Sequence, residues 1–301
     1  MMLLVISCTA KKEATKEPAK TGKVSSDGIV GNLDNEMKKD SVKIATSTGV
    51  KVGTTEPVSE METAPPMTEN DSMVEINPQQ FVPPIKTEKF DHSVLNELLK
   101  NYVSAKGVVS YEGFRKNSAT LRSYISSLGV TMPNETWTKN DKLAYWMNAY
   151  NAMTVDLILR NLPLESIKDI DKPWEQRLWK LGDKWYNLDE IEHQILRRMD
   201  EPRIHFGINC ASYSCPPLLN EAFTAEKVDT QLDFLAKQFI NDPTRNTITT
   251  DRIDISKIFT WFSKDFKQNG SVVEYLNLYS DTKISANAKV RYKDYNWELN
   301  N

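Results

Sequence analysis

The residues best suited to chemistry lie in one short segment, 203–217, with the sequence RIHFGINCASYSCPP. It holds two of the three cysteines of the chain, Cys210 and Cys215, and one of its three histidines, His205. A cysteine beside a histidine can be held as a thiolate at neutral pH, which is what a cysteine nucleophile requires. The segment therefore predicts a nucleophilic site, with His205 on a short strand over 203–209 and the cysteines on the loop that follows.

The two cysteines are not equivalent in this prediction. Cys210 follows His205 by five residues, so a short turn can return its thiol to the imidazole, and we take Cys210 as the nucleophile. Cys215 precedes Pro216, which restricts its backbone and suits a structural or helix-leading position, so Cys215 is the second choice. Three alternatives stay open: a Cys210–Cys215 disulfide, a zinc site that includes His205, and two inert buried thiols.

Two other segments offer supporting side chains. Asn148 and Asn151 are three residues apart on a predicted helix over 139–160 and share one face of it. Inward amides need partners, so they either position a substrate near an oxyanion or bind the backbone of an adjacent loop. Glu192 lies at the edge of the apolar stripe of a predicted helix over 188–199. It is the carboxylate expected to orient His205, although a solvated helix face is the simpler interpretation of the charges there.

The elements that must position these residues are mixed helices and strands. The pattern predicts helices over 91–102, up to Gly129, over 139–160, 188–199 and 224–240, and around Phe259 and Tyr275. Strands are predicted at 108–111, 203–209, 247–250 and 290–296. Because the two types do not alternate regularly, we predict an α+β fold rather than a doubly wound parallel sheet.

Composition divides the 301 residues into a folded part and a tether. The first aromatic residue is Phe81, and residues 9–88 are rich in Pro, Lys, Glu, Thr and Ser, so we predict a disordered tether there. Residues 89–301 are predicted to form a single domain. The net charge of −3 argues against nucleic acid as a partner, and no apolar run is long enough to cross a bilayer.

The first eight residues resemble a short bacterial lipoprotein signal. The run MMLLVISC ends in Cys8, with a small residue before the cysteine and charged residues soon after it. The resemblance implies lipidation of Cys8, a membrane anchor, and a place in the bacterial cell envelope, either periplasmic or on the surface. The alternative is a chance apolar start with a free cysteine.

Four ordered motifs carry a further resemblance: YWMNAYN at 145–151, IEH to LR at 191–197, RIHF at 203–206, and NCAS with CP between 209 and 216. Together they resemble the domain-of-unknown-function family numbered 547, over roughly 108–265. The resemblance implies a papain-like or transglutaminase-like cysteine-peptidase fold, with a central helix packed on a small antiparallel sheet. In papain-like folds the cysteine starts the central helix and the histidine follows later, whereas here His205 precedes Cys210.

These observations predict an extracytoplasmic lipoprotein with a cysteine-dependent amide hydrolase or acyl transferase site. The roles are Cys210 as nucleophile, His205 as base and then acid, Glu192 as the orienting carboxylate and Asn148 as an amide near the oxyanion. Asn151 and Cys215 support them, and no metal or cofactor is invoked. The alternative is a non-catalytic module that binds a peptide or a cell-envelope ligand.

Overall fold

The computed structural model describes residues 89–301, so the signal predicted at 1–8 and the tether predicted at 9–88 lie outside the described residues. The fold is α+β, as predicted. Its helices are α1 Ser93–Tyr102, α2 Tyr111–Lys116, α3 Ser118–Leu128, α4 Lys139–Asn161, α5 Ile204–Gly207, α6 Val228–Ile240, α7 Ile258–Trp261, α8 Ser263–Phe266 and α9 Val272–Leu276. Its strands are β1 Trp179–Leu181, β2 Lys184–Tyr186, β3 Thr247–Ile248, β4 Arg252–Ile255 and β5 Lys289–Tyr292.

The strands form two small sheets. β1 and β2 pair as an antiparallel hairpin in which Trp179 faces Tyr186. The second sheet has the order β3-β4-β5, antiparallel between β3 and β4 but parallel between β4 and β5, where Ile253 pairs with Val290. The small sheet is therefore mixed rather than purely antiparallel, because a long helical crossover through α7 to α9 brings β5 back beside β4.

Helix α4 is the central element of the described fold. Thr138 and Asp141 form a capping box at its start, and Pro163 follows soon after its end. Every residue from 143 to 159 is buried, so α4 is enclosed on all sides. Its main neighbours are α2, α3, α6 and the helical turns at 190–199, so helices rather than strands form most of its surroundings.

A buried charged group on α4 is paired on both of its oxygen atoms. The buried Asp156 carboxylate accepts hydrogen bonds from Arg122 at 2.8 Å, Arg160 at 2.7 Å and the Trp179 indole at 2.9 Å. Such pairing is needed because an unpaired buried carboxylate would be strongly destabilising. The contacts tie α3 and β1 to the central helix.

Several local predictions differ from the structure. Residues 203–209 are not a strand: α5 is a single helical turn, in which Ile208 N–H donates to Ile204 C=O at 2.9 Å. The alternation of apolar residues at Ile204, Phe206 and Ile208 is typical of a strand with one buried face. Because all sides of α5 are buried, this alternation does not distinguish a strand from a helical turn. At 108–111 only an isolated bridge forms between Val103 and Val109 before α2 begins. The predicted helix over 188–199 is a π turn, Glu190–Ile195, followed by a 3-10 turn, Leu196–Met199.

The last residues of the chain run across the molecule after β5 and make isolated bridges from Glu298 to Ser166 and from Leu299 to Ser212. We call residues 293–301 the C-terminal strap. Within residues 89–301, none of the helices has the length and apolarity needed to cross a membrane.

Candidate functional site

The two cysteines lie on a loop, 208–217, that the C-terminal strap holds from one side. Tyr213 N–H donates to Glu298 C=O at 2.6 Å, Ser214 N–H to Asn296 C=O at 3.1 Å, and Asn300 N–H to Ala211 C=O at 3.2 Å. Ala211 has a positive φ of 59°, a conformation that a non-glycine residue adopts only when its surroundings hold it there. The strap supplies that constraint, so the backbone around the cysteines is fixed by tertiary contacts.

Asn151 holds the loop from the side of the central helix. Its amide donates to Gly207 C=O at 2.9 Å and its carbonyl oxygen accepts from Asn209 N–H at 2.9 Å. The Asn209 side chain continues the clamp, donating to Pro216 C=O at 2.7 Å and accepting from Ala211 N–H at 2.8 Å. Asn151 therefore positions the start of the cysteine loop through its backbone, the simpler of the two predicted roles.

Asn148 makes an equivalent clamp one turn earlier on α4. Its amide donates to Phe223 C=O at 2.8 Å, and its oxygen accepts from Phe223 N–H at 2.9 Å. Both ends of the side chain are thus occupied by the backbone that follows the cysteine loop. Asn148 therefore binds the backbone of an adjacent segment, the simpler of its two predicted roles, and its place near an oxyanion stays a prediction.

The Cys210 thiol is partly exposed and surrounded by hydrogen-bonding groups. Its Sγ lies 3.0 Å from Cys215 Sγ, 3.0 Å from Ser212 Oγ and 3.3 Å from Tyr295 Oη. Hydrogen bonds from Cys215, then from the hydroxyls of Ser212 and Tyr295, lower the pKa of Cys210 to about 7, although burial opposes ionisation. The site therefore stabilises a thiolate near neutral pH.

Cys215 lies behind Cys210 and is only 6% exposed. Burial raises the pKa of the Cys215 thiol well above its usual range, and the neighbouring Cys210 sulfur raises it further. Backbone N–H of Cys210 donates to Cys215 Sγ at 3.0 Å, which keeps the two sulfur atoms adjacent. Both cysteines are free thiols in this structure.

In the described part of the chain, His205 forms no hydrogen bond with either cysteine. Its Nε2 shares a hydrogen bond with Asp265 Oδ2 at 2.8 Å, and its ring stacks on Phe262 with 3.9 Å between centroids. Burial lowers the pKa of His205, despite the opposing effect of Asp265, so the imidazole is neutral at pH 7. Within residues 89–301, the hydrogen bonds of Cys210 Sγ go to Cys215, Ser212 and Tyr295 and none goes to His205.

The carboxylate that orients His205 is Asp265, not Glu192 as predicted. Arg197 binds Asp265 through two hydrogen bonds of 2.7 and 3.0 Å, and burial of the carboxylate is outweighed by its partners, which hold the pKa of Asp265 below its usual range. Glu192 is also buried and accepts a hydrogen bond from Tyr150 Oη at 3.0 Å, and its charge acts to raise the pKa of His205. The His205–Asp265–Arg197 network joins α5, α8 and the 3-10 turn.

The alternatives for this segment are resolved in part by these contacts. A zinc site built from His205 and the two cysteines is not formed, since the imidazole is turned to Asp265. Within residues 89–301, no group of three or more His, Cys, Asp or Glu side chains is arranged to hold a metal ion. The cysteine pair itself is assembled, with its sulfur atoms in direct contact.

Sequence reasoning missed Tyr295 and Asp265. Tyr295 is separated from Cys210 by 85 residues and Asp265 from His205 by 60 residues, so no local spacing connects them. Ser212 lies within the NCAS motif, but the motif alone does not predict that its hydroxyl contacts Cys210 Sγ. The aromatic residues near the end of the chain, Tyr292, Tyr295 and Trp297, are the available signal for Tyr295, since aromatic residues concentrated there are expected to pack on the fold.

Residues 134–240 match the model of a family described as "Protein of unknown function, DUF547". The resemblance expected from the motifs is thereby confirmed over a narrower span than predicted. The matched segment includes both α4 asparagines, Glu192, His205 and the two cysteines, but neither Asp265 nor Tyr295. No curated protein and no solved structure matches the chain.

Proposed function

We propose that the chain is a cysteine-dependent acyl-transfer enzyme, most simply an amide hydrolase, with the Cys210 thiolate as its nucleophile. The observation that supports this most is the set of donors around Cys210 Sγ, which brings its pKa to about 7. About half of a thiol with that pKa is ionised at pH 7, against about 3% of an ordinary cysteine. No separate base is then needed to activate it.

The proposed reaction runs through a thioester. The Cys210 thiolate attacks the carbonyl carbon of an amide, the C–S bond forms, and the C–N bond breaks as the amine leaves with a proton. The Tyr295 hydroxyl is placed to pass that proton, because its Oη lies 3.3 Å from Cys210 Sγ and 2.9 Å from Ser212 Oγ. Burial raises the pKa of Tyr295 well above its usual range, so the hydroxyl is protonated when the cycle begins. Water then hydrolyses the thioester: its oxygen adds to the acyl carbon, the C–S bond breaks, the acyl group leaves as a carboxylate, and a proton from the water returns to Tyr295 as the Cys210 thiolate is restored.

His205 and Glu192 have no contact with the thiol in this scheme. His205 acts as a positioning residue, since its bond to Asp265 fixes α5 directly before the cysteine loop. The relation to papain-like or transglutaminase-like folds is likewise a proposal. In its favour, the nucleophile loop lies against the middle of a buried central helix through Asn151; against it, the helix carries no cysteine and a mixed sheet replaces the antiparallel one.

A second candidate is the non-catalytic binding module, and one surface favours it. Partly buried aromatic rings form what we call the aromatic shelf: Trp174, Trp261, Tyr295 and Trp297. Tyr295 and Trp297 have their centroids 4.5 Å apart, Trp261 lies 4.8 Å from Tyr295, and the Lys168 ammonium lies 4.4 Å from the centre of Trp297. Flat rings with a nearby cation suit a peptide or a cell-envelope ligand.

The extracytoplasmic location is proposed from the sequence of residues 1–8 alone. If Cys8 carries a lipid, Cys8→Ala should move the protein from the membrane fraction to the soluble fraction, since the acyl chains are then what holds it in the membrane. Membrane association that survives this substitution would contradict the anchor.

The enzymatic proposal is tested with p-nitrophenyl acetate as a generic acyl donor. We expect release of p-nitrophenolate, an acetyl group on Cys210 in peptide mass spectra, and continued turnover as the thioester hydrolyses. Cys210→Ala should reduce the rate to the background of a chain that lacks the nucleophile. Tyr292→Phe on β5, a surface control, should leave the rate unchanged. Equal rates for Cys210→Ala and the unaltered chain would overturn the proposal and leave the binding module.

A further inference from the structure

In the acyl-transfer scheme Cys215 only donates one hydrogen bond, yet the fold holds its sulfur in direct contact with that of Cys210. Its sulfur lies 3.0 Å from that of Cys210, and the two residues enclose only four others in the loop. One thiol is partly exposed and the other is buried directly behind it. An accessible attacking sulfur backed by a buried second sulfur is the arrangement required for exchange with an external disulfide.

We propose that Cys210 and Cys215 form a thiol–disulfide exchange pair whose substrate is a disulfide, with Cys210 attacking and Cys215 resolving. This activity goes beyond the proposed acyl transfer, because exchange requires Cys215 as a second reacting sulfur, whereas in acyl transfer Cys215 only donates a hydrogen bond to Cys210.

The two steps balance without a further reactant. In the first, the Cys210 thiolate attacks one sulfur of a disulfide RSSR, a Cys210–SR bond forms, and RS⁻ leaves and takes a proton. In the second, the Cys215 thiol loses its proton and attacks Cys210 Sγ, so that the Cys210–Cys215 bond forms and the second RS⁻ leaves. The enzyme dithiol is oxidised by two electrons, and RSSR is reduced to two RSH.

The environments of the two sulfur atoms match this order of events. Hydrogen bonds lower the pKa of Cys210, so it is the thiolate available for attack, while burial keeps Cys215 protonated until the mixed disulfide forms. After that step the Cys210 sulfur is no longer anionic, which removes one of the causes that raise the pKa of Cys215. The resolving thiol therefore becomes easier to ionise when it is needed.

The backbone requires little movement for the second step. Cys215 N–H donates to Ser212 C=O at 3.0 Å, closing the turn between the cysteines, and Cys210 N–H already points at Cys215 Sγ. The Asn151 clamp holds the start of the loop, and the C-terminal strap holds its middle at Ala211, Tyr213 and Ser214. The sulfur atoms can therefore approach bonding distance by side-chain rotation and a small backbone shift.

The test uses equimolar 5,5′-dithiobis(2-nitrobenzoate) with the reduced full-length chain, carrying Cys8→Ala so that two thiols remain. We expect two equivalents of thionitrobenzoate per reagent molecule, no adduct, and a Cys210–Cys215 disulfide in peptide mass spectra. Cys215→Ser keeps a hydroxyl donor beside Cys210 and should stop at one equivalent, with a stable mixed disulfide on Cys210. Cys210→Ser should react much more slowly, because Cys215 is buried.

A chain with Cys210 and Cys215 intact that also stops at the Cys210 adduct would overturn this inference, and that result requires no substitution within residues 89–301. The outcome is separable from the proposed function. Acetylation of Cys210 by p-nitrophenyl acetate in Cys215→Ser tests acyl transfer alone, and disulfide formation in the unaltered pair tests exchange alone.

Discussion

The ionisation of Cys210 is expected to depend on Tyr295 rather than on His205. Iodoacetamide labelling of Cys210 should rise with pH through a midpoint of about 7, the pKa set by its donors. Tyr295→Phe removes the hydroxyl 3.3 Å from the sulfur while keeping the ring that packs between Trp261 and Trp297. The midpoint should then move toward that of an ordinary thiol.

The size of the change follows from the strength of the lost bond. A hydrogen bond to a charged group contributes about 1.5–3 kcal/mol, and at 3.3 Å we take about 1.4 kcal/mol, which corresponds to roughly one pKa unit. At pH 6 the thiolate fraction is about 9% for a pKa near 7 and about 0.3% for an ordinary cysteine. Since intrinsic nucleophilicity falls with pKa, the net advantage of Cys210 is about sixfold, and Tyr295→Phe should reduce its rate about threefold.

The assay measures labelling rates of the reduced protein between pH 5 and 9.5 by peptide mass spectrometry. Cys215 reports the buried reference in the same sample and should label far more slowly, and Tyr292→Phe serves as a tyrosine control on the surface. A Cys210 midpoint at 8.5 or above would refute the assignment of a stabilised thiolate. An unchanged midpoint in Tyr295→Phe would show that the hydroxyl does not stabilise it.

Four further outcomes are expected. His205→Gln should lower the free energy of unfolding by about 2 kcal/mol in urea titrations, yet leave the Cys210 labelling midpoint near 7; a midpoint displaced upward would restore His205 as its base. Asn151→Ala should cost about 2–4 kcal/mol, because it leaves two buried backbone groups unpaired, and unaltered stability would contradict the clamp. Deletion of 1–88 should leave the Tm nearly unchanged, since that segment has little apolar surface, whereas a Tm many degrees lower would show that it packs on the domain. Burial lowers the pKa of His92 from 6.5 to about 4, so the unfolded chain binds the proton first and stability should fall as pH drops through that interval; His92→Gln should flatten the slope.

Local pattern was sufficient for the central helix and its polar face. The cap at Thr138, the stop before Pro163 and the inward amides of Asn148 and Asn151 all follow from short-range sequence rules. What those rules could not supply was the partner of each amide, because two backbone segments meet α4 from positions more than 50 residues away. An inward asparagine indicates that something polar must be there, without saying whether it is a ligand or a loop.

The histidine assignment failed for a related reason. Proximity in sequence placed His205 beside Cys210, and a strand over 203–209 would have put a turn between them. With α5 as a single helical turn, the imidazole points toward α8, and Asp265 is its partner. Glu192 was a reasonable carboxylate by helical position, but Tyr150 from the central helix occupies it.

The reactivity of the cysteine loop is therefore a property of the whole described fold rather than of the motif that contains the sulfur atoms. The family-matched segment, 134–240, holds both cysteines and the Asn151 clamp, but Tyr295 and the strap that bends the loop at Ala211 come from the end of the chain. Without that strap the cysteine loop would have the same sequence, but Cys210 would lose Tyr295, a donor that lowers its pKa. Measuring the pKa of Cys210 therefore tests whether the C-terminal strap is packed on the cysteine loop. The result does not depend on which substrate the thiolate attacks.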